Sequence, residues 1–231
     1  MKRPPTPRYI TRQSLTRKDL RTWNKGKPVR SRRNGYMRAE LDMMKEEAMS
    51  ILRIYPQQET TQLLFTTDTH DHIRARLQQV GVRFEQWHTD TQLTPGASQE
   101  DVIAAYAADI DRLINEEGYQ TVDVVSLNAD NPKKDELRQI FLSEHRHSED
   151  EVRFFVAGEG LFSLHIDDKV YEVLCQQGDL ISVPANTPHW FDMGPNPGFI
   201  AIRLFNNPAG WVANYTGDPI AERFNRLENG S

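Results

Sequence analysis

After Phe141 the chain becomes a succession of short apolar runs separated by turn residues, and this rhythm constrains its fold more than any other feature. Val152–Val156, Leu161–Ile166, Val170–Leu174, Leu180–Val183 and Phe199–Phe205 each have the length of one strand. Between them stand Gly158-Glu159-Gly160, Asp167-Asp168-Lys169, Gln177-Gly178-Asp179 and Pro195-Asn196-Pro197-Gly198, all turn-forming sequences. Short strands at so regular a spacing predict a small barrel or sandwich.

The part before Phe141 reads differently. Ile51, Leu52, Ile54 and Tyr55 predict a strand, and Asp71–Val80 a helix stopped by Gly81. Val102, Tyr106, Ile110, Leu113 and Ile114 recur at helical spacing, so a single helix is expected over 99–117. Ser98 is its N-cap and Gly118 its stop. A further helix is expected over 133–142, entered through Pro132, and residues 37–48 have helical propensity alone.

Residues 1–36 are basic, contain Pro4, Pro5, Pro7 and Pro28, and have no apolar periodicity, so disorder is expected there. Residues 1–34 hold twelve Lys or Arg against Asp19 alone, a charge of +11, so within the net −5 the remainder carries −16. So acidic a body does not attract nucleic acid, whose phosphates demand positive charge. No apolar run is long enough to span a bilayer or serve as a secretory signal, and the lone Cys175 excludes an intrachain disulfide. A cytoplasmic protein is the simplest expectation. The leader could be a tail for anionic partners, a transit peptide or a translated upstream segment. We favour the last, because Lys45-Glu46-Glu47 can be encoded by a purine-rich ribosome-binding sequence just before Met49. The domain reading is therefore a leader over 1–48 and one domain over 49–231.

The segment Glu144-His145-Arg146-His147-Ser148-Glu149-Asp150-Glu151-Val152-Arg153 carries the chemistry. Side chains of a strand alternate between faces, so 145, 147, 151, 153 and 155 share one face if no bulge intervenes. Two imidazoles, a carboxylate and a guanidinium turned into a barrel are costly unless something pairs with them. A divalent metal ion is the economical partner for His145, His147 and Glu151. A fourth ligand is expected from His189, which opens a strand after Pro184-Ala185-Asn186-Thr187-Pro188. Asn186 can take the left-handed turn there almost as readily as glycine.

His145-x-His147-x3-Glu151-x6-Gly158 and Gly178-x5-Pro184-x4-His189 resemble the two motifs of the cupin superfamily, departing at Asn186 (glycine in the general pattern) and Met193 (asparagine). More closely, "GYQTVDVVSLNADNP", "EHRHSEDEVRFFVAGEGLF", "DLISVPANTPHWFDMG" and "NPAGWVANYTGD" resemble the acireductone dioxygenase family of methionine salvage, over about residues 49–231. The resemblance implies a mainly β fold, a cupin double-stranded β-helix (jelly-roll barrel) with N-terminal helices. It implies one Fe(II) or Ni(II) per chain on His145, His147, Glu151 and His189. It implies cleavage of 1,2-dihydroxy-3-keto-5-methylthiopentene with dioxygen, to 2-keto-4-methylthiobutyrate and formate with iron, or to 3-methylthiopropionate, formate and carbon monoxide with nickel.

A doubly deprotonated acireductone is a planar, bidentate oxygen chelator, which suits an octahedral ion with two positions left open. Arg153, two residues beyond Glu151, can stabilise this dianion through charge-assisted hydrogen bonds, and the resemblance implies that catalytic role for it. Phe141, Phe191 and Trp211 are expected to wall the methylthio tail. Glu144 and Asp150 match auxiliary positions linked to metal loading and conformational relay, although by default both read as solvated strand-face residues. A monomer acting on small molecules is expected, with no nucleic acid or membrane partner. Two other functions fit the same ligands: a cupin isomerase that uses no dioxygen, and a metal-stabilised binding module without turnover. Asp68-Thr69-His70-Asp71-His72 also contains His-x-His, but at a helix start, where capping and surface roles are expected. His88 and His165 read as structural histidines.

Overall fold

The computed structural model describes residues 15–16, 49–91, 93, 96–206 and 212–228. The helix expected over 37–48 and Trp211 lie outside them. Two antiparallel sheets face each other across an apolar core, the cupin barrel that the strand rhythm and the motifs predict. Sheet A runs in the order β1 (Leu15–Thr16), β5 (Thr121–Leu127), β12 (Phe199–Phe205), β7 (Glu151–Ala157), β10 (Asp179–Val183), β4 (Arg83–Gln86). Sheet B runs β13 (Asn214–Tyr215), β6 (His145–Arg146), β11 (His189–Asp192), β8 (Gly160–Ile166), β9 (Lys169–Cys175), β2 (Ile51–Pro56), β3 (Phe65–Thr67).

Alternation along each strand decides what it buries. In β7, Phe155 enters the core between the sheets, whereas Val152, Phe154 and Val156 face a second apolar cluster outside sheet A. Helices α2 (Gln99–Ala105) and α3 (Ala107–Glu117) cover that outer face with Val102, Ile103, Ile110, Leu113 and Ile114. Both faces of β7 are therefore buried, which explains its unbroken apolar texture.

The helix expected over 99–117 is two helices. Tyr106 leaves the helical region (φ −115, ψ 20) and packs its ring edge-on to Phe154 at 4.6 Å. Thr89 Oγ1 donates to the Ala105 carbonyl at 3.0 Å, supplying one bond that the interrupted helix cannot make. The apolar spacing survives the break, which is why periodicity alone does not reveal it. Helices α1 (His70–Gln78) and α4 (Lys134–Leu142) lie within about two residues of expectation, the usual uncertainty of helix ends.

Of the leader, expected to be disordered, Leu15 and Thr16 are described, and they form an edge strand opposite Val122 and Thr121. Leu15 rests against the outer apolar cluster, and its pairing closes part of the β5 edge.

Candidate metal centre

The expected continuous strand through the His-x-His motif is interrupted. His145 pairs with His189 and Tyr215 in sheet B, whereas Glu151 pairs with Val183 in sheet A. Between them residues 147–150 carry the chain from one sheet to the other. The common face of 145, 147 and 151 is thus the facing interior of two sheets. Alternation does hold from Glu151 through Arg153 to Phe155 within β7.

The fold brings His145, His147, Glu151 and His189 together, buried, with one potential ligand atom from each lying within 4.8 Å of all the others. The three imidazole rings form a triangle with centroids 4.6, 5.0 and 5.3 Å apart. Each ring is aimed by a backbone carbonyl at Nδ1: Ser143 O for His145 (2.7 Å), Val212 O for His147 (3.1 Å) and Thr187 O for His189 (2.8 Å). A carbonyl only accepts, so Nδ1 carries the proton and a neutral ring offers its Nε2 lone pair. The Nε2 atoms of His147 and His189 stand 3.1 and 3.0 Å from Glu151 Oε2. Lone pairs directed at a carboxylate oxygen repel unless positive charge lies among them, either a proton on Nε2 or a metal cation. The donor set therefore fits a divalent cation.

Loop chemistry fixes these rings. Asn186 takes the left-handed conformation (φ 64), as its side chain allows, and its N–H donates to the His147 carbonyl at 2.7 Å. Asp150, expected on a solvated face, instead accepts from Ala185 N at 2.9 Å and from the Tyr119 hydroxyl at 3.1 Å. Glu144, also expected to be solvated, is buried and bonded to His165 Nδ1 at 2.7 Å and to the Thr216 hydroxyl. Both carboxylates tie loops around the cluster, a demand that the sequence alone does not display. Glycine is required at Gly158 (φ +73), where a Cβ would strike the Gly198 carbonyl, and at Gly160, where it would strike the Phe191 ring. Met193, the other motif departure, packs into the core, and the turn is held by Gly194 N donating to Asp192 at 2.9 Å.

Charge in the cluster follows from burial and contact. Burial, then the neighbouring His189, pushes His145 down to about 4, so this ring is neutral near pH 7. His147 is also penalised by burial, but the touching Glu151 carboxylate more than offsets this and raises it. Burial alone would raise Glu151; the Arg153 guanidinium and the two imidazoles outweigh it and keep the carboxyl ionised.

Arg153 is buried and donates from Nη2 to Glu151 Oε1 at 2.8 Å. Its guanidinium lies 4.5 Å from the Phe191 ring centroid and 5.4 Å from that of Phe162. Phe141, on α4, meets Phe191 edge-on at 6.1 Å. Phe141 and Phe191, two of the three residues expected to wall the methylthio tail, are thus in contact, and Trp211 lies outside the described residues.

The remaining histidines are not part of the centre. His70 bonds Asp179 at 2.7 Å and stacks on Phe84, a structural role in place of the capping one, since Thr69 is the N-cap. His165 is held by Glu144 and Gln57, and His88 is exposed.

Sequence reasoning missed Asp123 and Arg203, a buried bidentate pair at 2.8 and 2.6 Å on the inner face of sheet A. The signal was available in Thr121-Val-Asp-Val-Val-Ser-Leu127 and Phe199-Ile-Ala-Ile-Arg-Leu-Phe205, where each charge falls within an apolar run.

Comparison with known proteins agrees with this geometry. The model of the ARD/ARD' family matches residues 51–213. Acireductone dioxygenase of Alcanivorax borkumensis is 69% identical over 151 residues, covering 65% of this chain and 83% of that protein. That of Stutzerimonas stutzeri is 59% identical over 181 residues, covering 78% of this chain and all of the relative. The solved acireductone dioxygenase from Bacillus anthracis, with a cadmium ion in its active centre, is 32% identical. It superposes with a TM-score of 0.63 over 72% of this chain and 98% of its own. The chain belongs to the ARD/ARD' family, the acireductone dioxygenases.

Proposed function

We infer that the buried cluster between the sheets is the working site of a metal-dependent dioxygenase of methionine salvage. His145, His147, Glu151 and His189 hold one divalent ion, Fe(II) or Ni(II), in each chain. The observation that carries this is that three imidazoles, each held at Nδ1 by a backbone carbonyl, bring one potential ligand atom apiece within 4.8 Å of one another and of the Glu151 carboxylate. Such outer bonds fix the tautomer that a metal ligand needs. When bound, the ion supplies Lewis acidity and a template for the substrate's oxygens and dioxygen.

The protein's own groups do the rest. The substrate is 1,2-dihydroxy-3-keto-5-methylthiopentene, bound as its enediolate dianion. Arg153 has five N–H donors, so it can keep its bond to Glu151 and still donate to a substrate oxygen. Charge-assisted bonds of this kind contribute about 1.5–3 kcal/mol each. Phe191 lies against the guanidinium and supports it from one side. Phe141 and Phe191, with Trp211, take the methylthio tail and exclude water from the reacting end. Glu144 and Asp150 are auxiliary, bracing the loops that present the histidines.

Residues 49–231 form the catalytic domain and 1–48 a basic leader, read as a translated upstream segment. Intact mass of the protein made from its own gene tests this, and a full-length product contradicts it. Among the described residues no helix is long and apolar enough to cross a membrane. The enzyme acts on small molecules, as a monomer in the cytoplasm.

The functional test adds acireductone to Fe(II)-loaded protein and follows oxygen uptake and formate. Uptake with formate and 2-keto-4-methylthiobutyrate is expected. Carbon monoxide and 3-methylthiopropionate are expected from the Ni(II)-loaded protein. No oxygen uptake above the enzyme-free rate with either metal contradicts the reading.

A further inference from the structure

Three neighbouring strands of sheet A place charged side chains in one row across the inner wall. Asp123 on β5 is directly opposite Arg203 on β12, which is directly opposite Arg153 on β7. Side chains of directly opposed residues lie on the same face. That face is the interior one, because Phe155 on β7 and Phe199 and Ala201 on β12 share it within the barrel core. Glu151 follows on the same face of β7, bonded to Arg153. From β5 to β7 the row therefore reads carboxylate, guanidinium, guanidinium, carboxylate.

Two guanidiniums directly opposite one another on adjacent strands repel, and a buried charge that loses its partner is strongly unfavourable. The row is stable because Asp123 holds Arg203 through both carboxylate oxygens while Glu151 holds Arg153. Asp123 is two strand spacings from β7, roughly 10 Å of backbone separation. An arginine side chain can bridge that distance to an aspartate. Without Arg203, Asp123 would compete for Arg153.

We propose that Arg203 is a positioning and specificity-determining residue: by occupying Asp123 and repelling Arg153 it keeps the Arg153 guanidinium on the Glu151 side, facing the substrate. The inference rests on Arg153 being the dianion clamp. It also explains the choice of ligand charge. With neutral imidazoles the four charges of the row sum to zero, so a divalent ion leaves two positive charges and a dianion restores neutrality. A monoanion leaves one buried charge uncompensated.

Four variants test this at saturating metal, with metal content and thermal stability measured on each. Arg203→Met removes one positive charge, and its KM for acireductone is expected to rise at least about tenfold, with metal retained. Asp123→Asn acts in the opposite direction, and its KM is expected at or below that of the wild type. The double variant Asp123→Asn/Arg203→Met is expected to recover most of the loss, because the wall is neutral again. Arg203→Lys, which keeps the charge, is expected to be much less impaired than Arg203→Met. The crystal structure of metal-free Arg203→Met gives a readout independent of turnover. It should show Arg153 turned from Glu151 to Asp123.

A purely structural ion pair predicts instead that Asp123→Asn and Arg203→Met raise KM alike, or that both lower stability without altering KM. Either result, or Arg153 still on Glu151 in the Arg203→Met crystal, overturns the proposal. If Arg203→Met does not fold, the sign of the Asp123→Asn effect and the double variant decide. Arg153→Ala separates the two levels. If it binds acireductone normally, the clamp reading itself fails; if it is impaired while KM is unmoved in Arg203→Met, only the positioning role fails.

Discussion

The two faces of sheet A are built from the same strands and do opposite things. On the outer face Val152, Phe154, Val156, Ile202 and Leu204 meet α2 and α3 in an all-apolar cluster. On the inner face the alternate residues Glu151, Arg153, Asp123 and Arg203 form a buried charged row beside the imidazoles. Burial is nearly complete on both, so burial does not distinguish them. The difference is that the outer face is apolar throughout, whereas the inner face passes from apolar residues (Phe155, Phe199 and Ala201) to the charged row beside the candidate ligands. In β7 the outer face (Val152, Phe154, Val156) is apolar throughout, whereas Glu151 and Arg153 place charge inside the barrel where a core needs none, and that charge marks function.

Substitutions on each face should separate folding from chemistry. The largest effect is expected from His189→Ala, which removes the candidate ligand that sheet B holds against the inner face: metal content and oxygen uptake both fall to background, read by elemental analysis and an oxygen electrode. Retained turnover would place the centre elsewhere. Next is Phe154→Ala on the outer face, which empties a fully buried site and should cost about 3–5 kcal/mol in denaturant unfolding. Its kcat/KM per folded molecule should stay near that of the wild type. A large kinetic defect there would erase the contrast between the faces.

Arg153→Ala comes third, lowering kcat/KM by about 10- to 100-fold, as expected for one charge-assisted bond, with metal content unchanged. Concurrent loss of metal would make Arg153 part of the ligand scaffold.

The smallest effect lies beyond both faces, in a groove of about 710 Å³ that includes Arg83, Glu85 and Arg112. Burial opposes ionisation of Glu85, but bonds from Arg112, Trp87 and Arg83 overcome it and hold the carboxyl at about 2, below its ordinary 4.5. A carboxyl depressed on folding stabilises the fold above its unfolded value and loses that contribution as pH falls toward the folded one. Glu85→Gln should therefore flatten the acid limb of the stability profile between about pH 4.5 and 2. The network is partly solvated, so the loss near neutrality should be about 1 kcal/mol or less. An unchanged acid limb would show that other carboxylates set it.

Much of this was legible in the sequence where a local rule had a local cause. The strands from Glu151 onward, the hairpin at Asp167-Asp168 and the left-handed Asn186 follow from alternation and turn chemistry. The four candidate ligands and their meeting were legible from spacing and alternation, but the route by which they meet was not. His145 and Glu151 belong to different sheets, and only the crossing at 147–150 reunites them. Tyr106 shows the other limit, because apolar period is blind to a backbone break that preserves the buried stripe. The default reading of Glu144 and Asp150 as solvated fails because their partners Thr216, His165, Ala185 and Tyr119 come from distant segments, while the resemblance marks both as auxiliary positions.

The proposed centre requires four side chains drawn from two sheets to hold one divalent ion. The most direct measurement is the metal content of wild-type protein and Glu151→Gln after reconstitution with Fe(II) or Ni(II) and removal of excess ion, with circular dichroism confirming that both are folded. About one ion per chain in the wild type is predicted, and less than about a tenth of that in Glu151→Gln, whose neutral amide cannot supply the missing anion. Equal metal content in the two folded proteins would contradict it.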